Sequence, residues 1–209
     1  MIKKSWSKKA IEELPKKHRL HLINSISGYK PANLIGSRSK EGVENLAIFS
    51  SVVHLGSDPA LLGFILRPTT VPRDTFKNLL DTKFVTINHI SESFFKQAHE
   101  TSLSFPEAIN EFNEVGLTPT YKNGFYAPFV AESVVSIGCQ YVNHYPIEEN
   151  GTILVVLSVE EIHCDKEVVE EDCFIRLDKG GVLTINGLDG YAKPQFIERI
   201  PYKRYQGNS

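Results

Sequence analysis

Residues 32–66 read ANLIGSRSKEGVENLAIFSSVVHLGSDPALLGFIL. Four strand-like segments lie in this stretch: Ala32–Arg38, Val43–Phe49, Ser51–Leu55 and Ala60–Leu66. Short turn-prone connections join them. Ser39-Lys40-Glu41-Gly42 is a four-residue loop whose glycine can take a positive φ. Gly56-Ser57-Asp58-Pro59 is strong turn chemistry. The strands therefore follow one another as hairpins rather than as strand–helix–strand units.

The flanks extend this pattern. Pro68–Asp74 is a polar loop feeding a helix that Asp74 or Thr75 can cap, with Phe76, Leu79 and Leu80 as its apolar face. Phe84–Ile90 alternates as a strand. Ser91–Thr101 reads as a helix starting at Ser91. Pro106–Val115 reads as another, with Pro106 at its start and Gly116 after its end. The last third returns to strands at Val134–Val142, Gly151–His163, Phe174–Leu177 and Val182–Ile185, with Glu149-Asn150-Gly151 as the best hairpin signal. Upstream, residues 17–27 form a short helix stopped by Gly28. Eight or nine strands against three or four helices give a mainly β (α+β) fold, an antiparallel barrel with helical insertions.

The chain has 209 residues, 41% apolar and 23% charged, which fits a globular protein with one substantial core. The densest apolar stretches, Pro59–Leu66 and Thr152–Val159, are far shorter than a membrane span needs. A formal charge of −2 gives no global field to attract nucleic acid. That balance hides an asymmetry. Residues 1–19 hold seven basic side chains against Glu12 and Glu13, for a local charge of +5. They read as a solvated helical lead-in, although a basic arm can also touch phosphates or acidic lipid. Residues 20–209 then form a single domain. Cys139, Cys164 and Cys173 match neither a zinc framework nor a CxxC redox pair, so no metal site is expected, and their usage suits a reducing cytoplasm.

No GxSxG, HExxH, Walker A or GxGxxG motif occurs. A chain without its own catalytic constellation can still be an enzyme when a cofactor supplies the chemistry. Two segments stand out. In Asn45–Pro59 a strand ends in the small hydroxyl pair Ser50-Ser51 and passes to Val52 and Val53, which would let a flat ligand approach the backbone; a plain strand and turn explains the same pattern. In Arg67–Asn78, Arg67, Thr69, Thr70, Arg73 and Thr75 crowd ahead of a helix start, a composition suited to an anion. Helix capping accounts for Asp74 or Thr75 there, but not for the concentration of the other residues.

The order Asn45-Leu46-Ala47-Ile48-Phe49-Ser50, Ser57-Asp58-Pro59-Ala60-Leu61, Arg73-Asp74-Thr75-Phe76-Lys77-Asn78-Leu79 and Phe84-Val85-Thr86-Ile87-Asn88 resembles the flavin reductase-like family. So do Gly116-Leu117-Thr118-Pro119, Ala127-Pro128-Phe129-Val130-Ala131-Glu132-Ser133 and Gly187-Leu188-Asp189-Gly190-Tyr191-Ala192. The resemblance spans roughly residues 20–195 and implies an FMN-binding split barrel. It implies that Asn45, Phe49, Ser50, Ser51 and Val52 line the isoalloxazine. Arg67, Pro68, Thr69, Thr70, Arg73, Asp74 and Thr75 would hold the phosphate, with Asn88 nearby. Gly190 and Tyr191 would come from the C-terminal segment, across the interface of a homodimer. Members that reduce free flavin often carry Gly-Asp-Arg-Phe where this chain has Ala108-Ile109-Asn110-Glu111-Phe112. The implied activity is hydride transfer from NAD(P)H through FMN to a small-molecule acceptor, with an FMN-binding electron carrier or redox sensor as the alternative. Neither nucleic acid nor membrane is expected as a partner.

Overall fold

Seven antiparallel strands pair in the order β3-β2-β6-β9-β10-β5-β4. They are β2 (Asn33–Arg38), β3 (Glu44–Phe49), β4 (Val52–Ser57), β5 (Ala60–Leu66), β6 (Phe84–His89), β9 (Val135–Ile147) and β10 (Thr152–Cys164). The computed structural model describes residues 3–106 and 109–201. The smaller strands are β1 (Lys30–Pro31), β7 (Pro119–Thr120), β8 (Phe129–Val130), β11 (Thr184–Asn186) and β12 (Gly190–Ala192). The helices are α1 (Lys8–Glu12), α2 (Lys16–Ile26), α3 (Asp74–Thr82), α4 (Phe95–Glu100) and α5 (Glu111–Val115).

The strand order forces the sheet to roll. β3 and β4 are its two unpaired edges, yet only Ser50 and Ser51 separate them in sequence. Laid flat, the outer strands of seven would stand about 29 Å apart at the usual interstrand spacing. The chain from Phe49 to Val52 can span at most about 11 Å. The edges therefore meet at this corner without pairing, and the sheet is a barrel split along a β3/β4 seam. Ser51 fastens the corner: its Oγ donates to the Ile65 carbonyl (2.9 Å) and accepts from the Ile65 N–H (3.2 Å).

Alternation along β2 sets two cores. Ile35, Phe64, Leu66, Leu79, Val85, Ile87, Val155 and Leu157 fill the barrel, with α3 supplying Leu79 and packing Phe76 against them. Leu34 and Leu46 point outward and join Phe94, Ala98, Phe112 and Val115 of the α4–α5 layer. β2 is thus buried on both faces. Gly36 lets two layers meet closely: a Cβ there would collide with the Pro128 carbonyl and the Thr86 hydroxyl.

Several local expectations need correction. α4 begins at Phe95, not Ser91, because Ser91 bridges Val182 and the Glu92 N–H donates to the Gly181 carbonyl (2.9 Å). α5 begins at Glu111, with the Asn110 side chain accepting from the Phe112 N–H (3.0 Å). The expected start of this helix partly falls on residues 107–108, outside the described residues. Phe174–Leu177 makes one bridge, Ile175 to Val169, and no longer strand, with the chain turning from Leu177. Arg176 is drawn sideways there to Asp178 (2.7 Å) and Glu170 (3.3 Å). β4 runs on to Ser57, with a register shift between His54 and Gly56, so only Asp58-Pro59 makes its turn with β5. The β9–β10 hairpin forms with Gly151 at φ 71°, as its sequence indicates, and Gly116 ends α5 at φ 68°.

Candidate functional site

The turn into α3 gathers Arg67, Thr69, Thr70 and Arg73 ahead of a helix start. Arg73 is the N-cap residue in extended conformation, and no side chain caps the helix. Neither Asp74 nor Thr75 takes that role. Asp74 is the first helical residue, and Thr75 is buried with its hydroxyl turned inward. The Phe76 and Lys77 N–H groups donate back to the Arg73 carbonyl (3.0 Å each). Arg73 Nε is enclosed and has no hydrogen-bond partner. A buried unpaired donor costs free energy, more so when charged, unless something outside the chain meets it. Arg67, Thr69 and Thr70 are exposed on the same loop, and their side chains make no hydrogen bond among the described residues. A nine-residue helix start adds a partial positive charge.

Beneath that loop lies a buried polar cluster. The Asn45 carboxamide oxygen accepts from Ser37 Oγ and Thr75 Oγ1 (3.1 Å each) and from the Leu46 N–H (3.3 Å), while its nitrogen donates to Glu111 Oε1 (3.3 Å). Asn78 Nδ2 donates to Ser37 Oγ (3.1 Å). Glu111 also accepts from the Leu46 N–H (3.0 Å). Burial pushes the Glu111 carboxyl up from its ordinary value, against the lowering effect of that N–H bond. The cluster joins β2, β3, α3 and α5, so it fixes where α3 starts relative to the β3 edge.

A cavity of about 140 Å³ opens beside it, lined by Glu41, Glu44, Asn45, Asp74, Lys77 and Asn78 among others. Three carboxylates against one lysine make it unsuited to a phosphate. The cationic loop residues Arg67 and Arg73 lie outside its lining.

The remaining expected residues fall into three places. Phe49 sits at the seam with its ring edge-on to Phe64 (5.1 Å), and Ser50, Ser51 and Val52 make the corner itself. Phe49 ends the strand that carries Asn45, so the corner follows at the end of β3 opposite Asn45. Asn88 is fully buried and its amide is spent within the chain: Nδ2 donates to the Leu34 carbonyl (3.3 Å) and Thr86 Oγ1 (2.9 Å), and Oδ1 accepts from the Val130 N–H (3.0 Å). Gly190 and Tyr191 lie on β12, in the small β1-β11-β12 sheet. Tyr191 packs on Phe95 (5.2 Å), and its hydroxyl meets His99 Nδ1 (3.0 Å). Burial raises the Tyr191 phenol to about 12. The structure thus joins the Arg67–Thr75 loop to Asn45. It sets Asn88 and Tyr191 on the outer core face.

Ser37, Asn78 and Glu111 are the supporting residues that pattern reading passes over. Asn78 is detectable in principle, since it sits three residues after Thr75 on the same helix face. Among the described residues, no group of three or more His, Cys, Asp or Glu side chains could hold a metal ion. No helix there is long and apolar enough to cross a membrane.

A split barrel with a cationic helix entry that no side chain caps agrees with what comparison with known proteins finds. An uncharacterized protein of Aquifex aeolicus is 31% identical over 144 residues, 66% of this chain and 74% of its own. A protein of Shewanella frigidimarina assigned as a flavin reductase with split barrel domain has a crystal structure that superposes with a TM-score of 0.93. It is 41% identical and covers 96% of this chain and 100% of its own. Nitrilotriacetate monooxygenase component B from Bacillus cereus shares the fold at a TM-score of 0.83 and 20% identity, covering 96% of this chain and 100% of its own. The model of the flavin reductase like domain matches residues 29–182, three quarters of the sequence, and the chain belongs to that family.

Proposed function

We propose that this chain is an FMN-binding oxidoreductase that accepts hydride from NAD(P)H and passes electrons to a small-molecule acceptor. The observation that carries this reading is Arg73, whose Nε is enclosed without a partner at an uncapped helix start. The residues present fit the cofactor. Arg67, Thr69, Thr70 and Arg73, together with backbone N–H groups at Asp74 and Thr75, would hold the phosphate. Pro68 shapes the loop. Asp74 contributes its backbone rather than its carboxylate. Phe49, Ser50, Ser51 and Val52 would face the ring system at the seam, where two strand edges leave main-chain donors and acceptors unpaired. Asn45 and Asn88 act here as buried struts that position β3 and β6. When bound, FMN supplies the hydride-accepting chemistry, so the protein needs only to bind, orient and exclude water.

The reading extends to a cytoplasmic homodimer in which Gly190 and Tyr191 of one subunit border the flavin of the other. One phosphate loop, with no second nucleotide-binding element among the described residues, favours FMN over FAD. The decisive experiment is the visible spectrum of the FMN-loaded protein before and after anaerobic NADH or NADPH. Bleaching near 450 nm on addition of either nucleotide supports the oxidoreductase. Bound flavin that neither nucleotide bleaches makes the protein an electron carrier or sensor instead. A protein that takes up no FMN refutes the reading altogether.

A further inference from the structure

A second, larger cavity of about 560 Å³ lies away from the Arg67–Thr75 loop. That volume falls within the roughly 300–1,000 Å³ of small-molecule sites. Its walls come from β1, from residues 174–184 and from the C-terminal stretch 194–197, with Phe174, Leu177, Leu183 and Phe196 prominent among apolar side chains. The C-terminal wall is a strap held by side chains. Phe196 lies under the Arg176 guanidinium (4.0 Å), Arg199 stacks on Phe174 (4.1 Å), and Arg199 pairs with Asp172 (2.7 Å) and Glu170 (3.3 Å).

Most polar groups in this wall are already engaged. Lys30 Nζ donates to the Asn24 carbonyl (2.7 Å). Asp178 is held by Arg176 through both oxygens (2.8 and 2.7 Å). Thr184 Oγ1 donates to the Ala192 carbonyl (3.3 Å). Gln195 is exposed to solvent. His89 differs. It ends β6, lines the cavity and makes no side-chain hydrogen bond or ion pair among the described residues. Burial alone acts on it, pushing its pKa down to about 4, so the ring is neutral at physiological pH. A neutral imidazole offers one donor and one acceptor. In apolar surroundings such a group gains from a partner that the chain does not provide.

We infer that this cavity is a second small-molecule site, for an uncharged ring compound bearing one hydroxyl or carbonyl that hydrogen-bonds the His89 imidazole. Apolar walls favour the ring. Lys30 is the one cation in the described lining, and the hold of the Asn24 carbonyl on its Nζ (2.7 Å) disfavours its capture of a carboxylate. The inference does not depend on flavin binding.

The test uses 1-naphthol, its near-isostere 1-methylnaphthalene and 1-naphthoate as probes, by calorimetry and saturation-transfer NMR, with and without saturating FMN. 1-Naphthol should bind about fivefold more tightly than 1-methylnaphthalene, the worth of one neutral hydrogen bond. It should also shift the His89 ring signals in ¹⁵N-histidine-labelled protein. 1-Naphthoate should bind weakest, and FMN should leave all three affinities unchanged. His89→Phe should erase the preference for 1-naphthol, and Ile175→Trp, which fills the cavity, should exclude both neutral probes. The inference is overturned if wild-type protein binds neither neutral probe, if the preference survives His89→Phe, if 1-naphthoate binds tightest, or if FMN displaces 1-naphthol. It is equally overturned if Ile175→Trp leaves probe binding intact but weakens self-association in sedimentation, which would make this face an interface between copies of the chain.

Discussion

Replacing Arg73 with alanine separates a ligand-binding arginine from a structural one. In the apoprotein, the Arg73 side chain makes no ion pair or hydrogen bond among the described residues, and its Nε is enclosed without a partner. Its removal deletes no stabilising contact of that kind and relieves one desolvated donor. The apo variant should therefore unfold at a urea midpoint equal to or above that of the wild type, instead of showing the destabilisation of about 1 kcal/mol common to substitutions. FMN affinity should respond in the opposite sense. A charge-assisted arginine–phosphate bond is worth about 1.5–3 kcal/mol, so FMN should bind roughly tenfold to hundredfold more weakly. Riboflavin shares the ring system and lacks the phosphate, so its affinity should change little. Calorimetry with both flavins and urea unfolding of the apoprotein supply the three numbers. Equal losses for FMN and riboflavin, together with a lowered urea midpoint, would show that Arg73 shapes the loop and would remove the main support for a phosphate site there.

Dimerisation and FMN binding should be linked if residues of both subunits border the flavin, because a ligand held only by the dimer stabilises it by mass action; sedimentation across a dilution series with and without FMN reads this, and a monomer that keeps full FMN affinity refutes the shared site. Gly36→Ala should destabilise the fold by about 1–3 kcal/mol or more through overpacking, since the added methyl meets the Pro128 carbonyl and the Thr86 hydroxyl that donates to it (2.6 Å); urea unfolding measures it, and an unchanged midpoint contradicts the packing. The depressed pKa of His89 sets a pH dependence: the unfolded chain, with an imidazole near 6.5, binds a proton that the folded chain refuses until about pH 4. His89 should thus cost stability progressively as pH falls from 6.5 to 4, and His89→Phe, which lacks that titration, should lose less stability than the wild type over that window in urea titrations.

The barrel was legible because its connections are short. Hairpins joined by Ser39–Gly42, Asp58–Pro59 and Glu149–Gly151 leave no room for crossover helices, and local turn chemistry does not depend on distant partners. The loop and the helix it feeds were legible as well, because Pro68 and Pro72 break the chain ahead of an apolar helical face. Element starts were less legible. Ser91 looks like a helix cap, but its backbone is taken by Val182, ninety-one residues downstream, and no local pattern records that pairing. Phe174–Leu177 has strand-like residues, yet only Ile175 bridges to Val169 and the chain turns from Leu177, where Arg176 pairs with Asp178. The strut role of Asn45 was hidden for the same reason. Its partners Thr75 and Glu111 lie 30 and 66 residues away and meet it only after the sheet rolls.

The seam between β3 and β4 also bears on solubility. An exposed strand edge is a template for pairing with another chain, and open sheets carry two such edges. Rolling brings both edges to one corner, so a single cleft shelters what would otherwise be two sites for intermolecular strand addition. The Ser51 hydroxyl, bonded to both the carbonyl and the N–H of Ile65, keeps that corner folded over. Loosening it would uncover both edges together, and the main consequence would be self-assembly through strand exchange.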